Sequence, residues 1–166
     1  MAPGADQQLL ALYQDWRNSG RFDAQQTLGL ALAELLDSKL LGGVNLARSL
    51  VTHGWIRGSL MPVVVTENQA RLALDLFMQA EDDYGEADAR AWLGVTLQAE
   101  GNLKDALNEF RAGIQIMRRL TASVPNNSRW QQDLSLFHNN IGRALQAQGH
   151  LVEALLEFKA GMNILL

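Results

Sequence analysis

An all-α fold, an α-α superhelix or solenoid of about four antiparallel helical hairpins forming a single domain over residues 1–166, is predicted by three features of the sequence. The first is internal repetition. Shifting the chain against itself by 48 positions gives 13 identities in the 25 pairs from 94/142 to 118/166, where unrelated segments share roughly one or two. Matched residues include Gly94 with Gly142, Leu97-Gln98-Ala99 with Leu145-Gln146-Ala147, Gly101 with Gly149, Ala106-Leu107 with Ala154-Leu155, Glu109-Phe110 with Glu157-Phe158 and Gly113 with Gly161. The second is period. Leu93, Leu97, Leu103, Leu107, Phe110, Ile114 and Met117 recur every three or four positions, one face of a helix broken once at Glu100-Gly101-Asn102. The third is the placing of small residues. Gly94 and Ala106 let two helices lie close, Gly101 suits the positive φ that ends a helix, and Phe110 fills the space between the helices.

The two units read Arg90-x-x-Leu93-Gly94-x-x-Leu97, Gly101, Ala106-x-x-x-Phe110 and His138-x-x-Ile141-Gly142-x-x-Leu145, Gly149, Ala154-x-x-x-Phe158. This pattern resembles the tetratricopeptide repeat, a helix-turn-helix unit of about 34 residues, in its extended bacterial form. The resemblance is clear over residues 85–166 and diverged over 6–80. Arg90 and His138 stand where that family usually has Trp, and Leu97 and Leu145 where it has Tyr.

Along the chain, Leu9, Leu10, Leu12, Tyr13 and Trp16 predict a helix over 6–19, and Leu28, Leu30, Leu32, Leu35 and Leu36 a second over 22–37. Leu40 to Gly43 reads as a linker, since each Gly inside a helix costs about 1 kcal/mol. Leu46, Leu50, Ile56 and Leu60 predict a helix over 44–61 that Pro62 ends or kinks. Thr66 is the expected cap of a helix over 67–80, whose Ala73-Leu74-Asp75-Leu76-Phe77 matches the Ala-Leu-x-x-Phe of both later units. These pentapeptides are separated by 33 and then 48 residues. The excess over a single unit is about four helical turns, so helices over 103–123 and 130–148 should be longer than their neighbours. Val124-Pro125-Asn126-Asn127-Ser128 is turn chemistry, with Ser128 and Gln131 placed to form a capping box. The hairpins thus span about 6–37, 44–80, 85–123 and 130–166. The last helix ends in Met162-Asn163-Ile164-Leu165-Leu166, without the polar face that shields a terminal repeat. Either the natural chain continues, the preferred reading, and this is part of a longer protein, or the C-terminal helix packs against a second copy in a homodimer.

Composition narrows the function classes. A net charge of −4 from 18 acidic and 14 basic residues, with no basic run beyond Arg118-Arg119, leaves no electrostatic footprint for nucleic acid. With no Cys there is neither a disulfide framework nor a thiol nucleophile. The start of the chain lacks a signal-peptide pattern, and no window approaches the apolar length of a membrane span, so a soluble, cytoplasmic protein is expected. His53, His138 and His150 share no helical metal-pair spacing. The acidic run Glu81-Asp82-Asp83-Tyr84-Gly85-Glu86 has its Gly misplaced for a calcium loop and reads as a solvated inter-helix loop. No phosphate loop or nucleophile elbow is present. No catalytic residue, cofactor or metal is therefore expected, and an enzyme is the least supported reading.

The resemblance implies a binding surface instead. In that family the first helix of each hairpin lines a concave groove that takes a peptide or partner helix. Counted from Gly94, the implied groove positions are Asp88, Ala91, Trp92, Val95 and Gln98; counted from Gly142, they are Leu136, Asn139, Asn140, Arg143 and Gln146. Asn139 and Arg143, at i and i+4, can bond the backbone or carboxylate of an extended peptide, or can simply be solvated. Trp92 either faces the groove or packs against the preceding hairpin. Ala91 and Val95 depart from the Lys and Asn set with which some family members hold a C-terminal carboxylate. A protein or peptide partner is expected, with Asn139, Arg143 and Gln146 setting its register. The alternative is a regulatory, sensory or dimerisation segment of a larger bacterial signalling protein.

Overall fold

The computed structural model describes residues 29–33, 36 and 41–165, and every regular element among them is helical. The hairpin expected over 6–37 lies outside the described residues except at 29–33 and 36, which are helical. The contacts divide the chain into two compact units, Met1–Glu81 and Asp82–Leu166.

In the first unit, α1 (Gly43–Arg57) runs into a 3-10 turn (Gly58–Leu60), and α2 (Val63–Gln79) follows. Pro62 is the N-cap of α2, where its missing N–H removes no helical hydrogen bond. The valine run Val63-Val64-Val65 is therefore the first turn of α2. Thr66 lies inside the helix and does not cap it; its Oγ1 donates to the carbonyl of Pro62 at 3.3 Å. α1 and α2 pack together, and Ala47, Leu50, Val51, Ala70, Ala73, Leu74 and Phe77 are their buried apolar residues.

The second unit comprises α3 (Asp83–Ala99), α4 (Leu103–Ser123), α5 (Ser128–Ala147) and α6 (Leu151–Ile164). At 21 and 20 residues, α4 and α5 exceed α3 and α6, which have 17 and 14. The long interval between the repeated pentapeptides is thus absorbed as added helical turns on either side of one connection. Each helix packs on the next, and α3 also adjoins α5.

Local chemistry explains where these helices start and stop. α3 ends with Gly101 at φ 82°, its N–H bonding the carbonyl of Gln98 while Asn102 N–H reaches Leu97. α5 ends identically, with Gly149 at φ 85° bonding Gln146 and His150 bonding Leu145. Both are Schellman closures, which need a residue in the left-handed region. At the end of α2 that conformation falls on Glu81, at φ 54°, a strained choice for a residue with a Cβ. The starts of α3, α4 and α5 are capped by Asp82, Asn102 and Asn127, whose side chains accept from the N–H groups of Gly85, Asp105 and Trp130. The expected capping box at Ser128 is thus displaced by one residue. Asn127 takes the capping role, and the Gln131 side-chain amide instead donates back to the carbonyl of Pro125. Most of the acidic run also differs from its expectation. Asp83 and Glu86 stand in the first turn of α3, where carboxylates complement the positive end of the helix dipole.

The helices are joined by the same contact three times. A Cβ built on Gly94 would lie 2.4 Å from Cε1 of Phe110, one on Gly113 the same distance from Cε1 of Phe137, and one on Gly142 at 2.5 Å from Cε1 of Phe158. α3–α4, α4–α5 and α5–α6 therefore each cross with an aromatic ring laid directly on a glycine. Polar pins accompany the crossings. Arg90 spans from Glu86 at 2.8 Å to Glu109 at 2.7 Å, and His138 Nδ1 lies 2.7 Å from Glu157 Oε2. Arg90 and Glu109 shifted by 48 positions are His138 and Glu157, so the inter-helix pair is part of the repeat. Burial works against the Arg90 charge, but its hydrogen bonds to Glu86 and Glu109 outweigh that and raise its pKa.

Because Phe110 is fully buried and has nowhere to move, Gly94→Ala should cost about 1–3 kcal/mol in a urea titration, with Gly142→Ala acting in the same direction. An unchanged midpoint for Gly94→Ala would mean that the ring gives way freely. Glu81→Gly should raise stability by about 1 kcal/mol in the same assay, through relief of the left-handed backbone.

Candidate partner-binding face

The ten positions implied by the repeat pattern take different environments, Ala91 being half-buried and Leu136 exposed. Trp92 is buried, with its carbonyl accepting a 3.0 Å hydrogen bond from Thr96 Oγ1, so it serves packing. Asp88, Val95 and Gln98 on α3, and Asn139 and Asn140 on α5, are half-buried. Arg143 and Gln146 are exposed. Asn139 leans towards α6, its Oδ1 being 3.3 Å from where a Cβ on Gly161 would sit. Asn139 and Arg143, paired by spacing, therefore differ in environment: one lies against the neighbouring helix and the other stands in solvent.

Where α3 adjoins α5, the structure assembles a cluster that the sequence pattern did not single out. Tyr84, in the first turn of α3, donates its hydroxyl to Asp133 Oδ2 at 2.9 Å and accepts from Arg129 Nε at 3.1 Å. Its ring stacks on Trp130, with centroids 6.3 Å apart and planes inclined by 28°. The Arg129 guanidinium also lies over the Tyr84 ring, 5.9 Å from the centroid. Asp88 adds its field to this group. The Tyr84 phenol is pushed well above the ordinary tyrosine range, first by burial and then by the negative charges of Asp133 and Asp88, with Arg129 opposing.

A sequence signal for this cluster did exist. Tyr84 and Asp133 are 49 residues apart, within one position of the repeat interval. Equivalent turns of α3 and α5 were thus bound to be neighbours if the first helices of the hairpins adjoin. What periodicity could not supply was that a tyrosine and an aspartate one register apart would meet.

No family model and no curated protein matches this chain. Among the described residues no group of three or more His, Asp or Glu is arranged to hold a metal ion. Likewise, no described helix is long and apolar enough to cross a membrane. The α3–α5 junction brings together paired donors and acceptors and a stacked aromatic pair, with exposed Arg143 and Gln146 further along α5.

The raised phenol has a definite consequence for stability. Protonated Tyr84 is favoured by the fold, so its contribution is complete below the ordinary tyrosine pKa and is lost as pH rises above it. Tyr84→Phe should cost about 1 kcal/mol near neutrality, and the gap to the parent should narrow in urea titrations taken above pH of about 10. A gap independent of pH would show that the phenol is not held in this network.

Proposed function

We infer that the chain is a protein-interaction module of the tetratricopeptide-like kind, taking an extended peptide or a partner helix along the face shared by α3 and α5. The observation that carries this reading is the recurrence of one construction in two consecutive hairpins. Both have the ring-on-glycine crossing, the polar pin at 90/109 and 138/157, and the Schellman turn at Gly101 and Gly149. Repeats of this kind hold their first helices side by side, so that a ligand meets successive helices rather than a single pocket. In this reading Arg129, Tyr84 and Asp133 form a rigid polar edge, Asp88 contributes negative charge, and Arg143 with Gln146 supplies donors one helical turn apart. Peptide backbone carbonyls and an acidic side chain are the groups such donors fit. Binding, not catalysis, is the role proposed.

Selection of displayed random peptides against the purified protein tests the reading. Enriched peptides should bind in solution, and the pair Arg143→Ala with Gln146→Ala should weaken them about tenfold or more. Peptides that bind equally well to that variant would place recognition elsewhere and overturn the assignment of this face.

A further inference from the structure

The outer face of α6 carries the second inference, which does not depend on the peptide-binding reading. α6 packs on α5 as α4 packs on α3. Phe158 lies on Gly142 as Phe110 lies on Gly94, and Glu157 meets His138 as Glu109 meets Arg90. α4 has a second neighbour in its unit, α5, on its other side. The effect of that neighbour appears when equivalent positions are compared. Leu107 and Ile114 of α4 are 5% and 3% exposed, whereas their counterparts Leu155 and Met162 of α6 are 53% and 62% exposed. Side chains of the same type at the same place in the unit are core in one copy and solvent-facing in the other.

Gly161 itself is buried and faces α5 rather than this surface. Its counterpart Gly113 lies between Arg90 of α3 and the Phe137 ring of α5. The atoms nearest a Cβ on Gly161 belong to Ser135, His138 and Asn139, all of α5. The α6 face is also broader than that of α4. Where α4 has Lys104 and Asn108, both exposed, α6 has Val152 and Leu156, also exposed. A stripe of Leu151, Leu155 and Met162 flanked by Val152 and Leu156 is an apolar surface of a kind that is covered by partners.

We propose that this face of α6 is a docking surface for an amphipathic helix of a partner protein patterned like α5, with apolar residues at helical spacing. The α4–α5 interface in the same chain is the template for the occupant. There Phe137, buried with Leu134 and Ile141 on α5, takes the glycine site. The partner helix covers Leu155 and Met162 as α5 covers Leu107 and Ile114, and reaches Val152 and Leu156 through further apolar side chains.

The probe is a fluorescent synthetic peptide with the sequence of residues 128–147, followed by anisotropy against the intact protein. Saturable binding is expected. It should weaken about tenfold or more with Leu155→Asp and Met162→Asp together in the protein, and again with Phe137→Asp in the peptide. Both protein positions are exposed, so the fold should survive, which circular dichroism checks directly. Arg143→Ala with Gln146→Ala should leave this binding unchanged, separating it from recognition on the α3–α5 face. Absence of saturable binding up to about 1 mM peptide, or equal binding by the Asp variant, would overturn the proposal. A dimer in light scattering that the same Asp pair converts to monomer would overturn it in favour of a second copy of this chain.

Discussion

Close approach of helices at a glycine, with an aromatic ring filling the space that a Cβ would occupy, is the constraint on which the second unit rests. Phe110 on Gly94, Phe137 on Gly113 and Phe158 on Gly142 set the separation of α3–α4, α4–α5 and α5–α6 in turn. With that separation set, the other inter-helix contacts follow. Arg90 is brought within reach of Glu109, His138 of Glu157, and Ser135 Oγ donates to the carbonyl of Gly161 at 2.8 Å in a buried position. A methyl group at any of the three glycines would push apart helices whose polar pins tolerate little displacement, because hydrogen bonds weaken steeply with distance and angle.

The polar pins are arranged to avoid the penalty of burying charge. Arg90 is shielded from solvent, yet two carboxylates share its guanidinium, one on its own helix and one on the next. A lone buried guanidinium would be costly, whereas one held by two partners fixes the rotation of α3 against α4. At the equivalent point in the next hairpin an imidazole replaces the guanidinium and keeps one of the two carboxylates. The repeat therefore preserves the function of the contact while changing its chemistry. The Tyr84, Arg129 and Asp133 cluster performs a similar task between α3 and α5: the Tyr84 hydroxyl donates to Asp133 and accepts from Arg129, which ties the two helices together.

These two kinds of contact leave two surfaces with distinct characters in the second unit. Along α5 the exposed groups include the polar Gln132, Arg143 and Gln146 beside one aliphatic residue, Leu136, which is 54% exposed. Along α6 the exposed groups are aliphatic, with Glu153 and Lys159 also exposed on the same helix. A polar surface gains its selectivity from fixed donors and acceptors, and an aliphatic one gains affinity from the area removed from water. The difference in chemistry is what would let the two proposed recognition events be told apart by substitution.

The sequence by itself determined the helical class, the hairpin unit and the lengthening of α4 and α5. These depend on spacing, on glycine at helix ends and on the interval between repeated pentapeptides, all of which are local or periodic. It also placed two of the three close approaches, since Gly94 with Phe110 and Gly142 with Phe158 recur at one interval, whereas the seating of Phe137 on Gly113 came only from the structure. The residue that caps α5, the start of α2 and the course of the acidic run differed from expectation by a few positions. Asparagine and proline compete with serine and threonine for helix starts, and pattern alone does not rank them. Of the ten groove positions, the sequence could assign a helix face but not an environment. Tertiary structure decided that Trp92 is core, that Asn139 leans on α6 and that Arg143 is free to solvent. It alone brought Tyr84 to Asp133 and Arg129, and it alone left Leu155 and Met162 exposed where Leu107 and Ile114 are core. The physical reason is that burial belongs to neighbours and not to residues: apolar side chains at equivalent positions of the repeat have different fates when one unit has a helix on its far side.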